Sequence, residues 1–276
     1  MAPGREHARR LGTVRRMARR RADTLLAERG LAVSRSAAAA YVRAGRVRLA
    51  PDGPEIAKPS DLVPEEAQFV VAEGDEFVSR GGIKLKNALD ALPVEVEGRR
   101  CLDVGASTGG FTDCLLQRGA QTVIAVDVGF GQLDWRLRQD SRVLVMERLN
   151  ARQLGGSYLP FAPELITVDV SFISLAKLLK PIVASAAPEF DLLGLVKPQF
   201  ELGKDRVGKG GVVRDELDRR DAIRQVVTAA EGEGLLLRGL ASSGLPGPKG
   251  NRETFAWVAR SGEPVELEAA LEEVEA

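Results

Sequence analysis

The sequence contains little of the chemistry on which many enzymes and secreted proteins depend. Its 276 residues include one histidine, His7, and two cysteines, Cys101 and Cys114. A single histidine excludes Ser-His-Asp triads and His-rich metal sites, and two distant cysteines exclude a disulfide framework or a CxxC zinc site. No stretch approaches the roughly 18 consecutive apolar residues of a membrane helix. These absences favour a protein of the reducing cytoplasm that depends on neither a metal nor a membrane.

The net charge is zero, but the charges are unevenly distributed. Residues 1–50 contain thirteen arginines, no lysine and three acidic residues, whereas residues 262–276 contain six glutamates and no basic residue. A basic N-terminal arm on a neutral protein favours a polyanionic partner, most simply nucleic acid. For residues 1–20 two alternatives remain, namely a disordered solvated tail or an Arg-rich targeting segment. Residues 263–276 are predicted to form an acidic C-terminal tail.

Residues 21–73 have the pattern of a small α+β domain. A first helix over residues 21–28 ends before Gly30, and a second runs from an N-cap at Ser34 to Gly45. The strands "RVRLA" and "AQFVV" follow, with a turn at Pro51-Asp52-Gly53. The arginines of this region are the first candidate RNA-binding residues: Arg20, Arg21, Arg35, Arg43, Arg46 and Arg48.

Three strings in this domain carry a resemblance. The order GL-x-x-SR, A-x-x-x-V-x-x-G-x-V and KP-x-x-x-V resembles the S4 RNA-binding module of ribosomal and RNA-modifying proteins. The resemblance implies an S4-like RNA-binding domain over residues 21–73. A generic small α/β packing domain is the alternative.

A cofactor site is indicated by "RRCLDVGASTGGFTDCLLQRGA". A buried strand over residues 101–104 turns through a glycine-rich segment into an apolar helix, and both dehydrogenases and methyltransferases use such a turn. Two details favour S-adenosylmethionine over NAD. Asp103 precedes the first glycine, where a carboxylate would repel a pyrophosphate but attract a sulfonium and an amino group. The spacing G-x-S-x-GG also differs from G-x-G-x-x-G. The candidate cofactor residues of the turn are Gly105, Ala106, Ser107, Thr108, Gly109 and Gly110.

Further cofactor contacts are expected from the next strands. "QTVIAVDVG" ends at Asp127 and Val128, about 20 residues after Asp103, where a carboxylate can accept from ribose hydroxyls. Asn150 follows "RVLVMER" and is a candidate for the adenine side. An NAD-dependent dehydrogenase remains the alternative at the level of the fold.

The strands and helices then alternate, which predicts a doubly wound, mostly parallel sheet over residues 80–262. Ligands bind such sheets outside the carboxyl ends of the strands. Asp169 and Lys197 each follow an apolar strand, Glu253 begins the last strand, and Lys84 lies in a helix before the first strand. We therefore expect all four at one edge. Residues 74–79 are predicted to be a short interdomain linker.

Five strings identify the larger domain more narrowly. "SRGGIKL", "DVGASTGGFTDCLL", "DVSFISL", "VKPQFE" and "GNRETF" resemble the TlyA family, whose members join an S4 module to an FtsJ-like (RrmJ-like) domain and are often labelled haemolysins. Lys84, Asp169, Lys197 and Glu253 match the K-D-K-E tetrad of that fold. The resemblance implies a Rossmann-like, S-adenosylmethionine-dependent methyltransferase with a seven-stranded sheet. It also implies methylation of ribose 2′-hydroxyls, of cytidine, in ribosomal RNA of either subunit.

Methyl transfer to a ribose hydroxyl explains why the tetrad contains these residue types. A ribose 2′-hydroxyl is a poor acid, so its attack on a sulfonium methyl needs in-line positioning and help with its proton. We expect Lys197 to be partly desolvated and close to Lys84, and to act as a base or as a donor that orients the hydroxyl. Asp169 and Glu253 would hold the lysines, and Asp169 would also border the cofactor.

The segment after Lys197, "PQFELGKDRVGKGGVVRD", is long for a connection of this kind. It is interpreted as a mobile lid over RNA or cofactor, with a merely solvated loop as the alternative. The set of candidate RNA-binding residues is completed by Arg80, in the predicted helix that contains Lys84, and by three residues of this segment: Lys204, Arg206 and Lys209.

Two other functions stay open from the sequence. One is an RNA-binding ribosome-assembly factor with a vestigial methyltransferase fold, and the other is a membrane-lytic haemolysin, which the lack of an apolar span disfavours. The expected partners are ribosomal RNA and ribosomal subunits, and the expected oligomeric state is a monomer.

Overall fold

The computed structural model describes residues 19–32, 34–43, 46–51, 53–72, 76–155, 158–247 and 249–275, without the side chains of Ala40, Arg43 and Glu275. The chain divides into two units, residues 1–74 and 75–276. Parts of four predictions lie outside the described residues: the basic tail over residues 1–18, the helix end at Gly45, the turn at Asp52, and the beginning of the linker at residues 74–75.

The first unit combines two helices with two small antiparallel ribbons. Its elements are β1 (Arg19–Arg21), α1 (Ala22–Glu28), α2 (Arg35–Arg43), β2 (Val47–Leu49), β3 (Leu62–Pro64) and β4 (Phe69–Val71). Strand β2 pairs with β4 as the sequence predicts, and β1 pairs with β3. The helices enclose a small core in which Leu25, Leu26 and Val42 are almost completely buried.

The start of this unit differs from the sequence prediction. Arg19 and Arg20 were assigned to the tail and Arg21 to the first helix, yet all three residues form β1. Its hydrogen bonds run to the backbone of residues 62–64. Three consecutive arginines have no alternation of apolar and polar side chains, so a strand that is held by its backbone partner leaves no signal in the sequence.

The second unit is built around one large sheet. Its first half contains α3 (Arg80–Ala91), β5 (Arg100–Val104), α4 (Gly110–Gln117), β6 (Thr122–Asp127), α5 (Trp135–Gln139), β7 (Val143–Glu147) and the 3-10 helix η1 (Ala151–Gln153). Its second half contains β8 (Leu165–Val168), the 3-10 helix η2 (Leu175–Lys177), α6 (Leu179–Val183), β9 (Asp191–Val196), α7 (Pro198–Glu201), α8 (Glu216–Gly232), β10 (Leu236–Ser242), β11 (Thr254–Ala259) and α9 (Leu267–Glu275).

The predicted seven-stranded, mostly parallel sheet is confirmed. The strand order is β10-β11-β9-β8-β5-β6-β7, with β11 antiparallel to both of its neighbours and the other pairs parallel. Helices cover both faces, and two apolar clusters, one for each face, bury most residues of the inner strands β11, β9, β8, β5 and β6. Such burial on both sides explains why strands such as "LITV" and "DLLGLV" read as continuous apolar runs.

Two terminal segments of this unit are more ordered than their sequences suggest. The acidic residues 267–275 form α9, and Leu271 is completely buried against the core. Of the predicted linker, residues 76–79 belong to the second unit, where Phe77 is buried in the core. In the described part of the chain, no helix has both the length and the apolar character to cross a bilayer.

Candidate active site

The glycine-rich turn between β5 and α4 forms the floor of the predicted cofactor site. Gly105 has a φ of 86°, and a Cβ atom there would lie 2.3 Å from the carbonyl oxygen of Asp169. Only glycine therefore allows the turn to pass so close to the end of β8. Gly109 also has a positive φ, but it packs under Leu133 and Leu137 and borders neither of the cavities described below.

Two cavities lie on either side of this turn. The first, of about 500 Å³, lies over the ends of β5, β6 and β8 and is bordered by six predicted cofactor residues: Gly105, Ser107, Asp127, Val128, Asn150 and Asp169. The second, of about 190 Å³, lies between the turn and the beginning of α3 and is bordered by Gly105, Ala106, Ser107, Thr108 and Gly110. Most of the predicted cofactor residues are thus brought together.

Asp127 is fixed at the end of β6 by backbone donors. One carboxylate oxygen accepts from the Ser107 N–H at 2.8 Å, and the other accepts from the Gly129 N–H at 2.6 Å. These bonds join the glycine turn to the loop after β6. A carboxylate held in this position has further lone pairs that could accept hydrogen bonds from ribose hydroxyls.

Asp103 does not occupy the position that the sequence suggested. Its side chain is completely buried, and one oxygen accepts from both the N–H (2.9 Å) and the hydroxyl (2.7 Å) of Thr112 in α4. It borders neither cavity beside the turn. Burial raises the pKa of the Asp103 carboxyl to about 7, although the bonds from Thr112 oppose the shift. The physical reason is strand alternation, which directs this residue into the layer between the sheet and α4.

The four tetrad residues border one further cavity of about 400 Å³. Lys84 of α3 pairs with Glu253, with 2.5 Å between Nζ and Oε2. Lys197, directly after β9, pairs with Asp169, directly after β8, and donates to the Ser171 hydroxyl at 3.1 Å. Lys84, Lys197 and Glu253 are buried, and each of the two buried ammonium groups has the carboxylate partner that burial of a charge requires.

The sheet explains why these four meet. Parallel strands β8 and β9 bring Asp169 and Lys197 to the same edge. Strand β11 is antiparallel to β9, and Thr254 lies opposite Val196, so Glu253 reaches that edge from the other chain direction. Asp169 borders all three cavities. A ligand in the cavities beside the turn would therefore meet a ligand of the third cavity at Asp169.

Several residues of the third cavity were not singled out from the sequence. Phe172 is 93% exposed and has a φ of 67°, and its ring packs 5.4 Å from that of Phe200. Gln199 has a buried side-chain oxygen without a hydrogen-bond partner among the described residues. An apolar side chain after a buried strand normally continues the core, so nothing in "DVSFISL" predicts that Phe172 faces solvent.

The candidate RNA-binding arginines of the first unit are mostly engaged with other groups. Arg20 pairs with Glu28 at 2.7 Å, and both Arg21 and Arg35 pair with the buried Asp23. A hydrogen bond from Arg21 is the main cause that holds the pKa of Asp23 well below its usual range. Arg46 lies over the Tyr41 ring at 4.4 Å, and Arg48 is exposed. The side chain of Arg43 lies outside the described residues.

The residues of the predicted lid differ in their contacts and in their exposure. Arg206 pairs with Asp218 and Asp221 of α8, whereas Lys204 and Lys209 are exposed. Asn251 accepts from the Val213 N–H at 2.9 Å and donates to the Gly211 carbonyl at 2.8 Å, so it fastens the end of this loop beside the third cavity. Arg80 donates to the Pro246 carbonyl at 2.9 Å and borders the cavity between the turn and α3.

Comparisons with known proteins agree with this architecture. The model of the family described as FtsJ-like methyltransferase matches residues 77–260, and the S4 domain model matches residues 20–69. The chain is 49% identical over 245 residues to the 16S/23S rRNA (cytidine-2′-O)-methyltransferase TlyA of Mycobacterium tuberculosis, covering 88% of this chain and 91% of that protein. It is 36% identical to Hemolysin A of Brachyspira hyodysenteriae, covering 86% of this chain and 98% of that protein.

A solved structure is similar over nearly the whole chain. It is a haemolysin-named protein of Streptococcus thermophilus, with a TM-score of 0.69 and 35% identity. The match covers 94% of this chain and 96% of that one.

Proposed function

Since the chain belongs to the TlyA family of FtsJ-like methyltransferases, we propose that it methylates ribose 2′-hydroxyls of ribosomal RNA with S-adenosylmethionine as the methyl donor. The observation that carries the proposal is the cavity bordered by two buried lysines, each paired with a carboxylate, which meets the cavities of the glycine turn at Asp169. Cytidine is the proposed nucleotide, in ribosomal RNA of the small subunit, the large subunit or both.

The residues around the glycine turn fit S-adenosylmethionine. Gly105 opens the backbone of the turn, and the carboxylate of Asp127 is held where ribose hydroxyls can donate to it. Asn150 borders the same cavity and is assigned to the adenine side. Asp169, with 24% of its side chain exposed, presents a negative charge that suits a sulfonium. When bound, the cofactor supplies an electrophilic methyl group.

The tetrad would act on the acceptor hydroxyl. Two directions of the Lys197 Nζ atom are taken by Asp169 and Ser171, and a third remains for a ligand in the cavity. Lys197 would orient the 2′-hydroxyl there. As a base it would act in its neutral amine form, whose lone pair takes the hydroxyl proton while the methyl group passes from sulfur to the ribose oxygen. Lys84, held by Glu253 on the border of the same cavity, would add a second positive charge beside the acceptor.

Residues outside the third cavity would bind the RNA as well. We assign residues 21–73 to docking and residues 80–262 to catalysis, with the basic residues 1–20 assisting the docking and the acidic residues 263–276 outside both. The arginines of the first unit keep exposed guanidinium groups even when paired, for example 60% in Arg35, and can bind phosphates. Phe172 offers an exposed ring at the mouth of the cavity, where an unstacked base can lie against it. With ribosomal RNA as substrate, the protein would act in the cytoplasm.

The direct test is methyl transfer from radiolabelled S-adenosylmethionine to purified small and large ribosomal subunits, followed by mapping of the modified ribose. We expect incorporation by the wild-type protein and a loss of at least about 100-fold in Lys197→Ala, the range of a general acid-base contribution. Lys180→Ala changes an exposed lysine of α6 and serves as the matched control.

Three outcomes would contradict the proposal in different ways. No incorporation into either subunit, with RNA binding intact, would favour an assembly factor with a vestigial methyltransferase fold. Near-normal transfer by Lys197→Ala would remove the tetrad mechanism but keep the activity. Methylation of a base instead of a ribose would show that the acceptor is not a 2′-hydroxyl.

A further inference from the structure

The segments that follow β8 and β9 contact each other at three successive levels beside the third cavity. Residues 169–175 continue from β8, and residues 197–201 continue from β9. The contacts, from the sheet outward, are Lys197 with Asp169 and Ser171, Phe200 with Phe172, and Glu201 with Ser174 and Leu175. The first level belongs to the tetrad, and the second forms the mouth of the cavity. The third is used by none of the chemistry described so far.

The third level is a half-buried carboxylate that caps a helix. One oxygen of Glu201 accepts from the Leu175 N–H at 2.8 Å, and the other accepts from the Ser174 hydroxyl at 2.6 Å. Leu175 begins the 3-10 helix η2, whose first N–H groups have no partner within the helix. Burial raises the pKa of the Glu201 carboxyl, and the bonds from Ser174 and Leu175 oppose the shift. Glu201 thereby ties the end of α7 to the start of η2.

This tie is placed where the backbone needs support. Phe172 adopts a φ of 67°, a left-handed conformation that is unfavourable for a non-glycine residue. Such a conformation persists only when its surroundings hold it. The Phe172 side chain is almost fully exposed, so its contact with the Phe200 ring gives only weak support. The chain is held on one side by β8 and on the other by Glu201.

We propose that Glu201 is a positioning residue for the acceptor nucleotide, because it holds residues 171–174 in the shape that presents Ser171 and Phe172 to the cavity. This role rests on the proposed methyl transfer. Loss of the tie would release residues 171–174, move Ser171 away from Lys197, and widen the mouth at Phe172. The cavity of about 500 Å³ would lose the part of its border that Ser171 and Phe172 form, whereas the cavity between the turn and α3 has no border in residues 171–174.

The test compares Glu201→Ala and Glu201→Gln with Glu266→Ala in the full chain. Glu266 is a matched control, because its two oxygens likewise accept backbone N–H groups at a helix start, those of Glu268 (3.1 Å) and Ala269 (2.7 Å) in α9. Three quantities are measured for each variant: kcat and KM with ribosomal subunits, the Kd for S-adenosylmethionine, and hydrogen exchange of the amides of residues 171–176.

We expect Glu201→Ala to lower kcat by at least about tenfold, since displacements of about 1 Å near a reacting group have effects of up to 100-fold. Its Kd for S-adenosylmethionine should rise by a smaller factor than kcat falls, because the released segment forms only part of the border of the cofactor cavities. The Leu175 amide should exchange faster. Glu201→Gln keeps one carbonyl acceptor, so its kcat and its Leu175 exchange rate should lie between those of Glu201→Ala and the wild type. Glu266→Ala should match the wild type in all three quantities.

Unchanged exchange at residues 171–176 in Glu201→Ala would overturn the inference, as would unchanged kcat and KM. A loss of cofactor affinity as large as the loss of kcat would also overturn it, since the segment would then serve cofactor binding or the fold instead of the acceptor nucleotide. If the wild-type protein transferred no methyl group, the proposed function would fail, and the exchange measurement would still decide whether Glu201 holds the segment.

Discussion

Lys84 and Lys197 are both buried, but their carboxylate partners differ in exposure. Glu253, the partner of Lys84, has only 1% of its side chain exposed, whereas Asp169, the partner of Lys197, has 24% exposed. The first pair is therefore the more enclosed of the two, although all four residues border the third cavity. A buried pair of this kind adds little net stability, but the removal of one partner leaves a costly unpaired charge.

For the enclosed pair we predict that Glu253→Leu lowers the free energy of unfolding by about 3–5 kcal/mol, because Lys84 keeps a buried charge without a partner. The double variant Lys84→Met/Glu253→Leu should regain most of that loss, yet neither variant should methylate RNA. Urea unfolding followed by tryptophan fluorescence measures the effect, since Trp135 and Trp257 both lie in the second unit.

Lys86→Met is the control for that cycle, because Lys86 is partly exposed and pairs with the exposed Glu76 at 2.9 Å. Its effect on unfolding should be far smaller. A double variant less stable than Glu253→Leu would show that the pair itself contributes net stability.

A second prediction at this scale concerns pH. The Asp103 carboxyl has a pKa of about 7 in the folded protein, well above the value of about 3.9 in an unfolded chain. Between these two values the folded state holds a proton that the unfolded state has released, so stability falls as pH rises through this window, by about 1.4 kcal/mol per unit at most. Asp103→Asn keeps an acceptor for Thr112 and cannot ionise.

The stability of Asp103→Asn relative to the wild type should therefore increase from pH 4 to pH 7 and stay level above pH 7. Urea unfolding of both proteins across this range measures the difference. A difference that is independent of pH would mean that Asp103 is ionised throughout.

At the scale of secondary structure elements, the site depends on how closely α3 and α4 approach. A Cβ atom on Gly110, the first residue of α4, would lie 2.3 Å from the Ser79 hydroxyl and 2.8 Å from the Gly82 amide nitrogen. Helix α3 carries Lys84, and the start of α4 borders the cavity beside the glycine turn. The glycine therefore sets the distance between part of the tetrad and the cofactor cavities.

We predict that Gly110→Ala forces α3 outward, destabilises the second unit by about 1–3 kcal/mol, as overpacking does, and weakens S-adenosylmethionine binding. Gly232→Ala in α8 is the control, because a Cβ atom there meets nothing within 4 Å. It should leave binding unchanged and stabilise the helix by up to about 1 kcal/mol. Thermal unfolding and isothermal titration with the cofactor measure both effects, and normal cofactor binding by Gly110→Ala would contradict this account.

At the scale of the whole molecule, the charge is divided between the units. The net charge is zero, yet the thirteen arginines of residues 1–50 outnumber three acids, and the C-terminal segment is acidic. Binding to RNA phosphates releases counterions, so the contribution of these arginines must weaken with salt. The chemistry lies in the second unit, and affinity and turnover should therefore respond to different substitutions.

We predict that Arg48→Glu, at an exposed position of β2, raises KM for ribosomal subunits while kcat at saturation is retained. The slope of log affinity against log salt should become shallower by about one for each RNA phosphate that the variant no longer binds. Lys180→Glu, in α6 of the second unit, makes the same charge change as a control. An equal effect of both variants would show that net charge alone matters, and a fall in kcat in Arg48→Glu alone would contradict the division of roles.

Much of the fold could be read from the sequence because its signals are local. Continuous apolar runs separated by amphipathic segments predict a parallel sheet covered on both faces, and that sheet is present in the expected number of strands. Asp169, Lys197 and Glu253 are predicted from the strand ends at which they occur and Lys84 from the helix before the first strand, while their role as a tetrad is implied by the family resemblance. Strand β1 was missed because its three arginines have no apolar side chain, and α9 was missed because its apolar residues stand among four glutamates.

The sequence by itself determined the class of the fold, the glycine turn and the residue types that gather at one edge, since chain order and apolar periodicity are enough for these. Only the tertiary structure decided which carboxylate holds which lysine, that Asp103 faces Thr112 instead of the cavities, that Phe172 is exposed, and that Glu201 braces the segment beside it. Each of these depends on contacts between distant parts of the chain. Periodicity reports whether a side chain is buried, but the neighbouring strand or helix decides what it meets.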